Sequence, residues 1–111
     1  MLSPDLYKRL LRGEKLVAEL PPLRAGHRRY ITVSGVKSIP TKHPNFDRVP
    51  WLFRVSGYEL REELLDEYPG LESLRDFQSE MVGEDHLEAT VERLAGQAVT
   101  LQSASIVDAP W

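Results

Sequence analysis

The hydrophobic periodicity of this chain changes near its middle. Trp51, Phe53 and Val55 alternate with less apolar neighbours, a period of two that is typical of a half-buried β-strand. Beyond Ser56 the apolar residues recur every three or four positions, which is the spacing of a helix face. Segments with strand character therefore precede segments with helix character. This order predicts an α+β fold with a mainly antiparallel sheet of about four strands and three or four helices.

The N-terminal half is expected to contain one helix and three strands. Ser3, Pro4 and Asp5 have the order of an N-cap, a proline at the first helical position and an acid in the first turn, and Gly13 offers the stop. We expect the three strands at residues 15–20, 27–39 and 51–55. Residues 40–50 contain three prolines, which exclude a helix or a paired central strand and predict an exposed loop.

The C-terminal half is expected to contain three helices and a last strand. Ser56 and Glu59 have the spacing of a capping box, which favours a helix start at about Gly57. Asp85 with Glu88 repeats that spacing. We expect the helices at about residues 57–68, 71–82 and 85–95, and the strand at residues 97–107. The predicted order of elements is therefore α-β-β-β-α-α-α-β.

The size of the chain limits its organisation. With 111 residues it is too short for two independent hydrophobic cores, so we expect a single domain over residues 1–111. Residues 108–111 are expected to be a short extended tail, in which Trp111 either covers the core or serves as a peptide ligand. No apolar run approaches the roughly 20 residues needed to cross a bilayer, and no secretory signal is evident. A cytoplasmic protein without a membrane contact is the resulting expectation.

The chain contains no cysteine. This excludes disulfides, a zinc site with Cys ligands, an iron–sulfur cluster and a thiol nucleophile. No ligand spacing relates the three histidines, which are His27, His43 and His86. Neither a Gly-rich phosphate loop nor a nucleophile elbow occurs. The sequence therefore predicts no metal and no cofactor. The protein could still be an enzyme if its active site consists of ordinary residues that form no recognisable sequence motif.

Charge is divided unevenly along the chain. Residues 1–54 hold eleven Lys and Arg against four Asp and Glu, whereas residues 55–111 hold three against thirteen. Within residues 24–54, cations that neutralise phosphates lie among aromatic residues that stack on bases. The candidate binding residues of this segment are Arg24, Arg28, Arg29, Lys37, Lys42, His43, Phe46, Arg48 and Arg54. The competing interpretation is that the aromatic residues form the core and the charges only keep the surface soluble.

These observations favour a small non-enzymatic binding protein that acts on a macromolecular partner. In one version the basic segment 24–54 binds nucleic acid. In another, acidic helices within residues 59–92 contact a basic protein, and the chain is an adaptor or inhibitor. The sequence also allows a homodimer, formed either by attraction between the oppositely charged halves or by antiparallel pairing of edge strands.

Overall fold

The computed structural model of the chain describes residues 3–37, 39–40, 42–64 and 74–103. The elements are, in chain order, helix α1 (Pro4–Leu11), strands β1 (Leu16–Leu20), β2 (His27–Val36), β3 (Leu52–Arg61) and β4 (Arg75–Gly83), helix α2 (Glu84–Ala95) and strand β5 (Gln102–Ser103). The strands form one antiparallel sheet in the order β4-β3-β2-β1-β5. The α+β class with an antiparallel sheet is confirmed. The sheet has five strands rather than about four, and the described residues contain two α-helices rather than three or four.

The start of α1 and the end of α2 form as their local signals predict. Ser3 caps α1, because its Oγ accepts a hydrogen bond from the Leu6 N–H at 3.2 Å, and Pro4 takes the first helical position. Helix α2 ends at Gly96, which has the left-handed conformation (φ 77°) that suits glycine. The capping box predicted for Asp85 and Glu88 is wrong, because α2 begins one residue earlier, after Gly83, and that N-cap makes no side-chain hydrogen bond. Neither helix has the length and apolar character needed to span a bilayer. The predicted last strand is reduced to β5, and residues 104–107 and the tail 108–111 lie outside the described residues.

The helix predicted from Gly57 is wrong, because β3 continues to Arg61. The two side chains of the supposed capping box are engaged elsewhere. Ser56 Oγ lies 3.1 Å from Ser79 Oγ on β4, and the Glu59 carboxylate accepts the Leu23 N–H. Pairing with β2 along all ten residues of β3 therefore prevails over the local helix signal. A short 3₁₀ turn follows at Glu62–Leu64, and residues 65–68 of the prediction lie outside the described part.

The helix predicted at residues 71–82 is also wrong, since residues 75–83 form β4. Phe77 and Met81 suggested a helix because they are four positions apart. Four is also a multiple of two, so both side chains lie on one face of a strand equally well. A β-bulge at the start of β4, where Asp76 has a φ of 54°, sets this alternation. Residues 71–73 lie outside the described part.

The main core lies between the two helices and one face of the sheet. Leu10 of α1 and Leu87 of α2 are buried against Ile31, Val33 and Phe53 from the sheet. Helix α1 lies so close to β2 that a Cβ atom built on Gly35 would be 2.9 Å from the Leu10 carbonyl oxygen. The helices therefore cover one face of the sheet. The opposite face, called here the second face, is not covered by either helix.

Candidate binding surface

The predicted basic segment does not form one continuous surface of free cations. Arg24 donates from one guanidinium nitrogen to Glu59 Oε1 at 2.6 Å and to Asp76 Oδ2 at 2.8 Å. Glu59 is almost fully buried, with 1% of its surface exposed, and it also accepts the Leu23 N–H at 2.5 Å. Burial alone would raise the pKa of Glu59, but the Arg24 guanidinium and the Leu23 N–H together lower it. This cluster connects the loop between β1 and β2 to strands β3 and β4 through Glu59 and Asp76.

Two further arginines of the segment are also held within the fold. Arg28 donates from two nitrogens to the two carboxylate oxygens of Glu19, at 2.9 and 2.5 Å. Arg29 lies on the helix-covered face and donates to the Leu94 carbonyl oxygen at 3.1 Å. These contacts give both guanidinium groups a structural role.

Lys37 fixes the Pro-rich segment rather than facing solvent freely. Its ammonium group lies 3.7 Å from the centre of the Phe46 ring and 5.0 Å from that of Trp51, and it donates to the Phe46 carbonyl oxygen. The two rings meet edge to face, with centres 6.0 Å apart. The cation and the rings therefore attract each other, and they anchor the segment that follows β2.

Lys42, His43 and Arg48 are exposed between β2 and β3. The His43 Nδ1 accepts the Asn45 N–H at 3.1 Å, and Arg48 ends a short 3₁₀ turn that begins at Phe46. These three candidates lie apart from Arg54, the last of the predicted residues, which is on the second face of the sheet.

Arg54 lies in a cleft of about 590 Å³ on that second face. Strand register builds the cleft in rows, because residues directly opposite each other on paired strands point to the same side. Arg54 pairs with Ser34 of β2 and Met81 of β4, and the next row places Ser56 between Thr32 and Ser79. Among the residues that the structure describes, the lining consists of Lys15, Thr32, Ser34, Arg54, Ser56, Tyr58, Leu74, Phe77, Ser79 and Met81.

The lining combines positive charge, hydroxyl groups and exposed apolar surface. Lys15 and Arg54 are its two charged residues, and neither has an ion-pair partner among the residues that the structure describes. Phe77 and Met81 expose 46% and 44% of their surface. None of the described lining residues carries a carboxylate, so the charge of this described lining favours an anion.

Tyr58 also lines this cleft. Burial, with a smaller contribution from the neighbouring Tyr30, raises the pKa of its phenol to about 12. The two rings have centres 5.9 Å apart. Because the phenol stays neutral at physiological pH, it adds no negative charge to the cleft.

Sequence reasoning identified Arg54 but missed Lys15, Phe77 and Met81. Lys15 belongs to the N-terminal strand region outside the basic segment. The signal for the other two was the alternation of Phe77, Ser79 and Met81 with polar neighbours, which the helix interpretation concealed. Only the pairing of β4 with β3 brings these residues beside Arg54.

The acidic surface predicted within residues 59–92 is reduced by the fold. Glu59 is buried and paired, and it stands in a strand. On α2 the carboxylates of Glu84, Asp85 and Glu92 are exposed. Within the described ranges, no three His, Asp or Glu side chains are grouped closely enough to hold a metal ion.

Comparison of the chain with known protein families, curated proteins and solved structures finds no match.

Proposed function

We propose that this protein is a non-enzymatic binding protein that holds single-stranded nucleic acid in the cleft on the second face of its sheet. The observation that carries the proposal is the joint presence of Lys15, Arg54 and an exposed aromatic ring in the cleft. Among the described residues, neither cation has an ion-pair partner and no carboxylate belongs to the lining. The positive charge of this lining is a local property of the cleft, since the chain as a whole has a net charge of −3.

The side chains of the cleft match the phosphates, bases and sugars of a single-stranded nucleic acid. Lys15 and Arg54 are the residues that would neutralise phosphates. The ring of Phe77 offers a stacking platform for a base, a contact worth about 1–3 kcal/mol in proteins that bind single strands. The hydroxyls of Ser34 and Ser79, which are half-buried and exposed respectively, suit sugar and phosphate oxygens, which are frequent hydrogen-bond partners in such complexes. A duplex has its bases already stacked, so we expect it to bind more weakly.

The salt dependence of binding distinguishes this cleft from the wider basic surface. Each phosphate neutralised on a single strand contributes about −0.7 to the slope of log K against log salt. Two cations predict a slope of about −1.4, whereas the seven Lys and Arg of segment 24–54 predict about −5. We expect the shallow slope, because several of those seven are engaged within the fold.

The test uses fluorescence anisotropy of labelled single-stranded RNA and DNA and of a duplex, at several salt concentrations. Phe77→Ala should weaken single-strand binding about tenfold, consistent with the loss of one stacking contact. Arg54→Ala should weaken binding and flatten the salt slope. Arg48→Ala is the matched control, since Arg48 is an exposed arginine outside the cleft.

Two outcomes oppose the proposal. Absence of binding at tens of micromolar protein in low salt would remove nucleic acid as the partner. An equal effect of Arg48→Ala and Arg54→Ala would mean that binding depends on general positive charge and not on the cleft.

A further inference from the structure

Strand β4 is an edge of the sheet, and it is unusually open. Asp76, Phe77, Gln78, Ser79 and Met81 are all exposed, so side chains on both faces of this strand contact solvent. In the part of the chain that the structure describes, β4 pairs only with β3. The outer edge of such a strand presents backbone N–H and C=O groups that are ready to pair with another strand.

We propose that two copies of this chain pair through β4, antiparallel, about a twofold axis at Ser79. This register pairs residues 77–81 with the same residues of the second copy, beyond the β-bulge at the start of β4. Phe77 faces Met81 of that copy on the second face, and the reciprocal contact forms on the other side of the axis. Phe77 and Met81, the two exposed large apolar residues of β4, would then pack side by side across the interface, in the contact between sulfur and ring that methionine favours.

Charge disfavours the neighbouring registers. A twofold axis at Gln78 would place Asp76 opposite Glu80, and an axis at Glu80 would place this glutamate opposite itself. Like charges directly opposite each other destabilise a strand pair. The axis at Ser79 instead places Glu80 opposite Gln78, so no like charges meet across the interface.

The dimer would join two five-stranded sheets into one of ten strands, with both copies of the cleft on the same side. The partner copy would bring its Phe77 next to Met81 at the cleft border, so each site would gain an aromatic group from the other chain. This inference concerns the edge of β4, and it holds whether or not the cleft binds nucleic acid.

Charge substitution at the axis gives a direct test. Ser79→Lys and Ser79→Glu each place like charges opposite each other, so each variant alone should be monomeric in light scattering after size-exclusion chromatography. An equimolar mixture of the two should recover the dimer, because lysine then faces glutamate. That recovery would also show that both variants fold. Gln78→Lys is the control, since it places a lysine opposite Glu80 and should leave the dimer intact.

A cross-link tests the register itself. The natural chain has no cysteine, so Ser79→Cys introduces a single thiol. At a twofold axis this thiol lies opposite its own copy, within about 4.5–5.5 Å between Cβ atoms, and oxidation should link most of the protein into covalent dimers. Ser34→Cys, in the middle of the sheet, should not cross-link. A wild-type chain that is monomeric up to hundreds of micromolar, or a dimer unchanged by Ser79→Lys, would overturn the inference.

Discussion

Replacing Gly35 by alanine tests the close approach of α1 to the sheet. The new Cβ would lie 2.9 Å from the Leu10 carbonyl oxygen and 3.4 Å from two atoms of the Trp51 ring. The oxygen belongs to the backbone of α1, so a side-chain rotation cannot relieve the contact, and the helix must move. Overpacking of this kind costs about 1–3 kcal/mol.

An opposing effect must be subtracted from that cost. Alanine restricts the unfolded chain more than glycine does, which favours the folded state by about 0.4–1 kcal/mol. We therefore expect Gly35→Ala to lower the free energy of unfolding by about 1–2 kcal/mol. For a domain of this size that corresponds to a fall in Tm of about 4–8 °C.

The measurement is urea unfolding followed by circular dichroism, with Gly57→Ala as the matched control. Gly57 lies on the neighbouring strand and on the same face of the sheet, yet its added Cβ would meet nothing nearer than the Tyr30 carbonyl oxygen at 4.0 Å. Because that variant gains the same restriction of the unfolded chain without a close contact, it should be more stable than the natural chain by about 0.4–1 kcal/mol. Equal stability of Gly35→Ala and the natural protein, or equal losses in both variants, would refute the reasoning from close approach.

Two further predictions concern the dependence of stability on pH. Because burial raises the pKa of Tyr58 to about 12, above its ordinary value of 10.0, its contribution to stability is complete below pH 10 and is lost as the pH rises toward 12. In urea unfolding, the natural chain should therefore lose about 1 kcal/mol more of its free energy of unfolding between about pH 7 and pH 11 than Tyr58→Phe does. Equal losses in the two proteins would contradict this prediction. The pKa of Glu59 is lowered from its ordinary value of 4.5, so its stabilising effect is present above about pH 4.5 and is lost as the pH falls below it. Glu59→Gln should flatten the dependence of the urea midpoint on pH between pH 5 and 3, and an unchanged acid limb would show that the pairing with Arg24 does not govern acid unfolding.

Several elements of this fold are encoded in short stretches of sequence. The Ser3-Pro4 start of α1 and the left-handed Gly96 at the end of α2 depend on residues within a few positions of each other. Strands β1 and β2 follow from runs of apolar and β-branched residues. These features could be predicted because the physical cause lies inside the segment itself.

The second half of the sheet could not be predicted in the same way. The capping-box spacing of Ser56 and Glu59 is a valid helix signal, but a helix start is worth only about 1 kcal/mol. Ten paired residues between β2 and β3, with Tyr58 and Leu60 buried, outweigh it. Such pairing depends on residues far apart along the chain, which no local pattern records.

The candidate site was decided by the tertiary structure to a still greater extent. Composition identified an excess of cations in residues 24–54, and Arg54 was among them. The fold then placed Arg24 against the buried Glu59, and it brought Arg54 into one cleft with Lys15 and Phe77. The sequence determines which charged and aromatic side chains the protein has. The strand register decides which of them are paired within the fold and which remain available to a ligand, because this pairing depends on contacts between segments that are far apart in the chain.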